Sequence, residues 1–118
     1  MNFTQYPLND HYVLTLEGEF DAQFVKEGEE EFKEFVEENS SNIIVDLSNV
    51  TFIDSSGIGV LVFYYKRLKS QKRKLVLIGA NGQPLKIMKM LRIDETIESY
   101  RFLSEYLSSF YQEFRVAG

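Results

Sequence analysis

The chain holds no cysteine and no tryptophan, only two prolines, and a single histidine in 118 residues. Without cysteine there is no disulfide framework, no thiolate zinc site and no thiol nucleophile. A small domain that folds without disulfides suits a reducing compartment. One imidazole, His11, must serve every role an imidazole can fill, and just ahead of a strand it reads as an exposed turn residue. Long apolar runs are missing too. The longest, Ile58 to Tyr65, is far short of the roughly 20 residues that cross a bilayer. Residues Met1 to Gln5 contain no basic segment leading into an apolar one, so no secretory leader is expected. Repeats, linkers and low-complexity tracts are absent, so a single domain over 1–118, cytoplasmic and not inserted in a membrane, is the expectation.

Apolar residues are plentiful. Leu, Ile, Val and Phe account for 39 residues, about a third of the chain and well above the roughly 20% below which chains stay disordered. The net charge of −5 argues against direct nucleic-acid binding. Its distribution is more telling. Ten acids fall between Glu17 and Glu38, whereas none occurs between Asp54 and Asp94, an interval with nine bases. Two solvated faces of opposite sign, or a polarised docking surface for a charged partner, both account for this.

Tyr12 to Glu17 is β-rich and pairs with Phe3 to Tyr6 across Pro7-Leu8-Asn9-Asp10. Asp21 caps a helix whose stripe is Phe24, Val25, Gly28, Phe32, Phe35 and Val36; Gly28 there suits close approach of a strand. Ile43 to Leu47 reads as a buried strand, with Ser48 to Asp54 a connection turning Val50, Phe52 and Ile53 inward. A helix spans Ser56 to Ser70, followed by a central strand over Lys74 to Gly79. Pro84 opens a helix carrying Leu85, Ile87, Met88 and Leu91. A short strand lies near Ile97, and a last helix, starting at Ser99 or Arg101, carries Leu103, Tyr106, Leu107, Phe110 and Phe114. The aromatic rings, among them Phe24, Phe32, Phe35, Phe52, Phe63 and Phe110, are expected to fill the core. Alternating strands and helices imply an α/β fold with a mixed sheet of four to five strands and about four helices packed around it.

The chemistry-bearing stretch is Asp54-Ser55-Ser56-Gly57, between an extended segment and a helix start. A hydroxyl there lies beside unpaired N–H groups at the positive end of the helix dipole. Ser55 or Ser56 is the N-cap, and a phosphate on such a hydroxyl would find donors ready. Gly57 and Gly59 keep the first turn open to an approaching active site. Catalysis finds no support. No base stands by for a serine nucleophile, Val62 replaces the third glycine of a dinucleotide loop, and no P-loop occurs. A receiver domain would need a strand ending in paired acids for magnesium, and none is present. No metal site or cofactor is expected.

Gly18-Glu19-Phe20-Asp21-Ala22, Asp46-Leu47-Ser48-Asn49-Val50 and Phe52-Ile53-Asp54-Ser55-Ser56-Gly57-Ile58-Gly59-Val60 together resemble the STAS domain, the family of the bacterial anti-sigma factor antagonists. The resemblance covers nearly the whole chain and implies the STAS fold. It also implies partner switching. The unphosphorylated domain binds an anti-sigma factor that is itself an ATP-using serine kinase, phosphorylation releases it, and a serine phosphatase restores the hydroxyl. On this pattern Ser55 is the phosphoacceptor, Ser56 the cap, and Asp54 orients the loop by accepting backbone N–H bonds. Asp21, Ile58, Gly59, Val62, Lys66 and Lys69 are candidate partner-binding residues. The domain would be a substrate rather than an enzyme, and a monomer or weak dimer. Family members also serve as subunits of membrane transport systems and stress-signalling assemblies, which is the alternative reading.

Overall fold

A two-residue turn, Asn9-Asp10, joins β1 (Asn2–Leu8) to β2 (His11–Phe20), and the strands pair antiparallel from Asn2↔Glu17 to Leu8↔His11. Asn9 takes φ 55, a left-handed conformation that Asn tolerates well. The hairpin is therefore tighter than expected, since Pro7 and Leu8 belong to the strand. The structure, a computed structural model, describes residues 2–117, and side-chain surroundings for 3–112.

The remaining elements are α1 (Ala22–Glu38), β3 (Asn42–Ile53), α2 (Ser55–Ser70), β4 (Leu75–Ile78), α3 (Gly82–Met90), the single turn α4 (Ile93–Thr96), β5 (Ser99–Tyr100) and α5 (Leu103–Ala117). The strands lie in the order β1-β2-β3-β4-β5, and every pairing after the first is parallel. The fold is thus the expected α/β type, with a mixed five-stranded sheet and five helices among the described residues.

Alternation along the strands divides the core in two. Leu14, Leu16, Ile43, Val45, Leu47, Leu75 and Leu77 face one layer, which α1 covers with Phe32, Phe35 and Val36 and α2 with Leu61 and Leu68. Val13, Ile44, Val76 and Ile78 face the other, covered by Tyr106 and Phe110 of α5. Where β2, β3 and β4 lie together the sheet is covered on both faces, as near-continuous apolar strands require. The side chain of Phe114 lies outside the described residues.

Several expectations need correction. β3 does not stop at Leu47; it runs to Ile53, pairing with β2 through two register shifts. Beyond Asp46 it has outrun β4, so Ser48, Asn49 and Thr51 face solvent and disguise a strand as a loop. Phe52 and Phe63 are not core residues but exposed, 39% and 61% respectively. Gly28 receives no strand; a Cβ there would meet only Phe24 Cζ at 4.0 Å. The last helix begins later, at Leu103. His11 is not exposed at all. It is 1% accessible, and its Nε2 lies 2.7 Å from the Tyr106 hydroxyl across 95 residues of sequence.

Candidate functional site

β2 and β3 run parallel and end side by side at Phe20 and Ile53. Each is followed by one aspartate and then a helix, so two helix N-termini open at the same edge. Asp21 caps α1, its Oδ1 accepting from Phe24 N at 3.0 Å. Asp54 caps α2, its Oδ1 accepting from Ser56 N at 2.9 Å and Gly57 N at 3.0 Å. The other oxygen, Oδ2, accepts from Ala22 N at 3.1 Å, the first residue of α1. One carboxylate therefore holds both helix starts, each capping contact contributing on the order of 1 kcal/mol. The N-cap is Asp54, not Ser56 or Ser55.

Two further contacts brace this corner. Gly57 is buried against the end of β2, where a Cβ would come within 2.5 Å of Phe20 O and 3.0 Å of Ile53 Cγ2. The glycine is needed for packing, not to open the turn. Gln83 on α3 supplies what a neighbouring strand would have given Ile53. Its Oε1 accepts from Ile53 N and its Nε2 donates to Ile53 O, both at 2.8 Å. Nothing local in the sequence marks Gln83; only its position opposite the unpaired end of β3 reveals the role.

Ser55 stands at the first position of α2 and is exposed. Because Asp54 does the capping, the Ser55 hydroxyl is not consumed by a cap bond. For the same reason the N–H groups of Ser56 and Gly57 are already occupied, and Ile58 N is bonded to Asp54 O. The donors expected to await a phosphate are thus largely taken.

From Ser55 the helix spacing carries Gly59, Val62, Lys66 and Lys69 along one face. All are exposed except Val62, which is half-buried. Lys69 Nζ lies 5.7 Å from the Tyr65 ring centroid. Lys66 is 11 residues on, about 16 Å from Ser55 at 1.5 Å per residue, so the two belong to one surface but not one site. Two candidates fall outside this stripe. Ile58 is 7% accessible and belongs to the core, and Asp21 is committed to its cap. Phe63, exposed one turn after Gly59 on α2, was not among the expected surface residues. Among the described residues no cluster of three or more potential metal ligands occurs, and no helix is long and apolar enough to cross a membrane.

The chain's relatives agree with this architecture. The STAS domain family profile matches residues 4–106. An anti-sigma-B factor antagonist of Listeria monocytogenes is 27% identical over 89 residues, covering 75% of this chain and 78% of that protein. One from Staphylococcus epidermidis is 30% identical over 81 residues, covering 69% and 75%. Among solved structures, an anti-sigma factor antagonist from Mycobacterium paratuberculosis superposes with a TM-score of 0.81 at 20% identity over 92% of each chain. The Bacillus cell fate determinant SpoIIAA in its phosphorylated form gives 0.69 at 17% identity over 92% and 99%. A sulfate transporter family protein from Wolinella succinogenes gives 0.73 at 16% over 95% and 91%. At these identities the structures share the fold.

Proposed function

Since the chain belongs to the STAS domain family, we propose that it is an anti-sigma factor antagonist whose partner binding is switched by phosphorylation of Ser55. Unphosphorylated, it binds an anti-sigma factor that is an ATP-using serine kinase and so frees a sigma factor; phosphorylated, it is released, and a serine phosphatase resets it. It acts in the cytoplasm as a substrate, not as an enzyme. The observation that carries this reading is the division of labour at the start of α2. Asp54 holds the turn through three backbone N–H groups, leaving the neighbouring Ser55 hydroxyl exposed and unengaged.

The same division explains how a phosphate would act. It brings about −1.5 to −2 charge next to a carboxylate that already occupies the local donors. The phosphate then points outward, and the domain need not refold. Its effect falls on the partner, where a desolvated or like-charged contact costs several kcal/mol. Gly59, Val62, Lys66 and Lys69 extend the docking face along α2, with Phe63 flanking it.

The test is affinity capture from native extract with the Ser55→Ala protein as bait. Recovery of a serine kinase that then phosphorylates the wild type at Ser55, but not the bait, supports the reading. Recovery of transport-system or stress-signalling components alone would place the protein in that other branch of the family, with Ser55 a turn residue.

A further inference from the structure

Between α1 and α2 lies a cavity of about 310 Å³, within the roughly 300–1,000 Å³ span of small-molecule sites. It exists because each helix lacks a side chain where it faces the gap, at Gly28 and at Gly59. A Cβ at Gly59 would meet nothing within 4 Å. Six aromatic side chains line the space: Phe3, Phe20, Phe24, Phe32, Phe63 and Tyr64. Three neighbouring pairs stand nearly perpendicular, with 87° between Phe3 and Phe24, 89° between Phe20 and Phe24, and 86° between Phe63 and Tyr64, while Phe32 and Tyr64 are tilted at 52°. Rings at these differing angles do not share one plane, and the face of each is the negative part of its quadrupole.

One charged side chain lines the cavity. Glu29 is the ionisable acid in its lining, and no lysine, arginine or histidine lines it. Glu29 forms no ion pair among the described residues. Arg67 on α2 is engaged by Glu37 at 3.5 Å. Burial raises the Tyr64 phenol above its ordinary pKa, and Glu37, Glu29 and Glu30 push it further in the same direction against Arg67. Three acids of α1 thus stand near enough to Tyr64 to favour its neutral form.

We propose that this cavity binds a small organic ammonium ion with an apolar body, the aromatic walls enclosing the body and Glu29 facing the cationic head. Aromatic cages with a nearby carboxylate recognise ammonium groups by this combination of cation–π attraction and charge. A nucleotide or other anion is the wrong occupant, because the lining offers it no positive group. Ser56 lines the cavity and Ser55 does not, while Gly59 and Phe63 belong both to its wall and to the proposed docking face.

The experiment is an amide NMR titration of the full chain with benzyltrimethylammonium chloride, set against phenylacetate, an anion built on the same ring. Saturable shifts at Gly28, Glu29, Gly59 and Phe63 are expected for the ammonium, with phenylacetate at least about tenfold weaker. Glu29→Gln should weaken the ammonium about fivefold, as loss of one exposed charge allows. Gly59→Leu, which fills the cavity from an open helix position, should abolish binding while its thermal unfolding shows that the fold is kept. Absence of saturation, equal binding of phenylacetate, or unchanged binding by Gly59→Leu would overturn the proposal. Neither kinase nor protein partner enters this titration, so its failure leaves the Ser55 reading standing, and the converse also holds.

Discussion

Asp54 and Ala22 are 32 residues apart, yet the carboxylate of one receives the backbone N–H of the other at 3.1 Å. The same carboxylate caps α2. The two helices that flank the exposed serine are thereby registered on one side chain, and the position of Ser55 depends on both.

Asp54→Ala should therefore cost more than an ordinary cap. We expect about 2 kcal/mol or more, against the roughly 1 kcal/mol of a single N-cap. Asp54→Asn keeps an acceptor for α2 and should lose about half as much. Urea unfolding of the three proteins measures the series; an Asp54→Asn protein as stable as the wild type would mean that the contact to Ala22 contributes nothing.

Ser55→Ala should change stability by less than about 0.5 kcal/mol, because the hydroxyl makes no structural bond. Incubated with the captured kinase and ATP, it should gain no phosphate by intact-mass measurement, and uptake at Ser56 would refute the site. Ser55→Asp should weaken partner capture, though with less than a phosphate's charge.

The two glycines of α2 should respond in opposite directions. Gly57→Ala drives a Cβ toward Phe20 O, 2.5 Å away, and should destabilise by about 1–3 kcal/mol as overpacking does. Gly59→Ala enters open space on the same helix and should stabilise by roughly 0.5–1 kcal/mol through helix propensity alone. Thermal unfolding of the pair gives the sign of each.

Gln83→Ala leaves both backbone polar groups of the fully buried Ile53 without their partner. A loss of about 2 kcal/mol is expected, the cost of unsatisfied buried groups. Amide exchange at Ile53 should speed up more than at Val45, whose ladder bonds do not involve this side chain.

His11 makes stability depend on pH. Burial holds its pKa below the ordinary value near 6.5, with Asp10 raising it and Lys74 lowering it by lesser amounts. The unfolded chain therefore binds the proton first. This contribution is complete above about pH 6.5 and is lost as pH falls toward the depressed folded value. Urea midpoints at pH 7.5, 6.5 and 5.5 should fall in the wild type. His11→Phe should show a shallower decline, and an identical slope in both proteins would assign the acid sensitivity to other groups.

Order and type of the main elements were legible because local patterns set them. Asp21 before a 3.6-period stripe marked a helix start, and β-branched runs marked Ile43 to Leu47 and Leu75 to Ile78. Asp54 was legible as the residue that holds the turn. What escaped was decided at a distance. His11 is buried by Tyr106, 95 positions later, and Gln83 acts on Ile53 from another helix. Phe63 was misplaced because the apolar residues from Ile58 to Tyr65 go nearly all round α2, so periodicity there picks no face. The far half of β3 hid behind solvent-facing polar residues, since a strand longer than its neighbour keeps one wet side.

The strands occupy the sheet in the order in which they leave the ribosome. Each emerging strand finds its neighbour already in place, and no gap must be held open for a later arrival, which suits a nascent chain folding from its N-terminus. The cover on the second face comes last. Until α5 arrives, Val13, Ile44, Val76 and Ile78 form a bare apolar sheet. From the pairing of β4 until α5 docks, this face is the part of a half-made molecule most open to unwanted association.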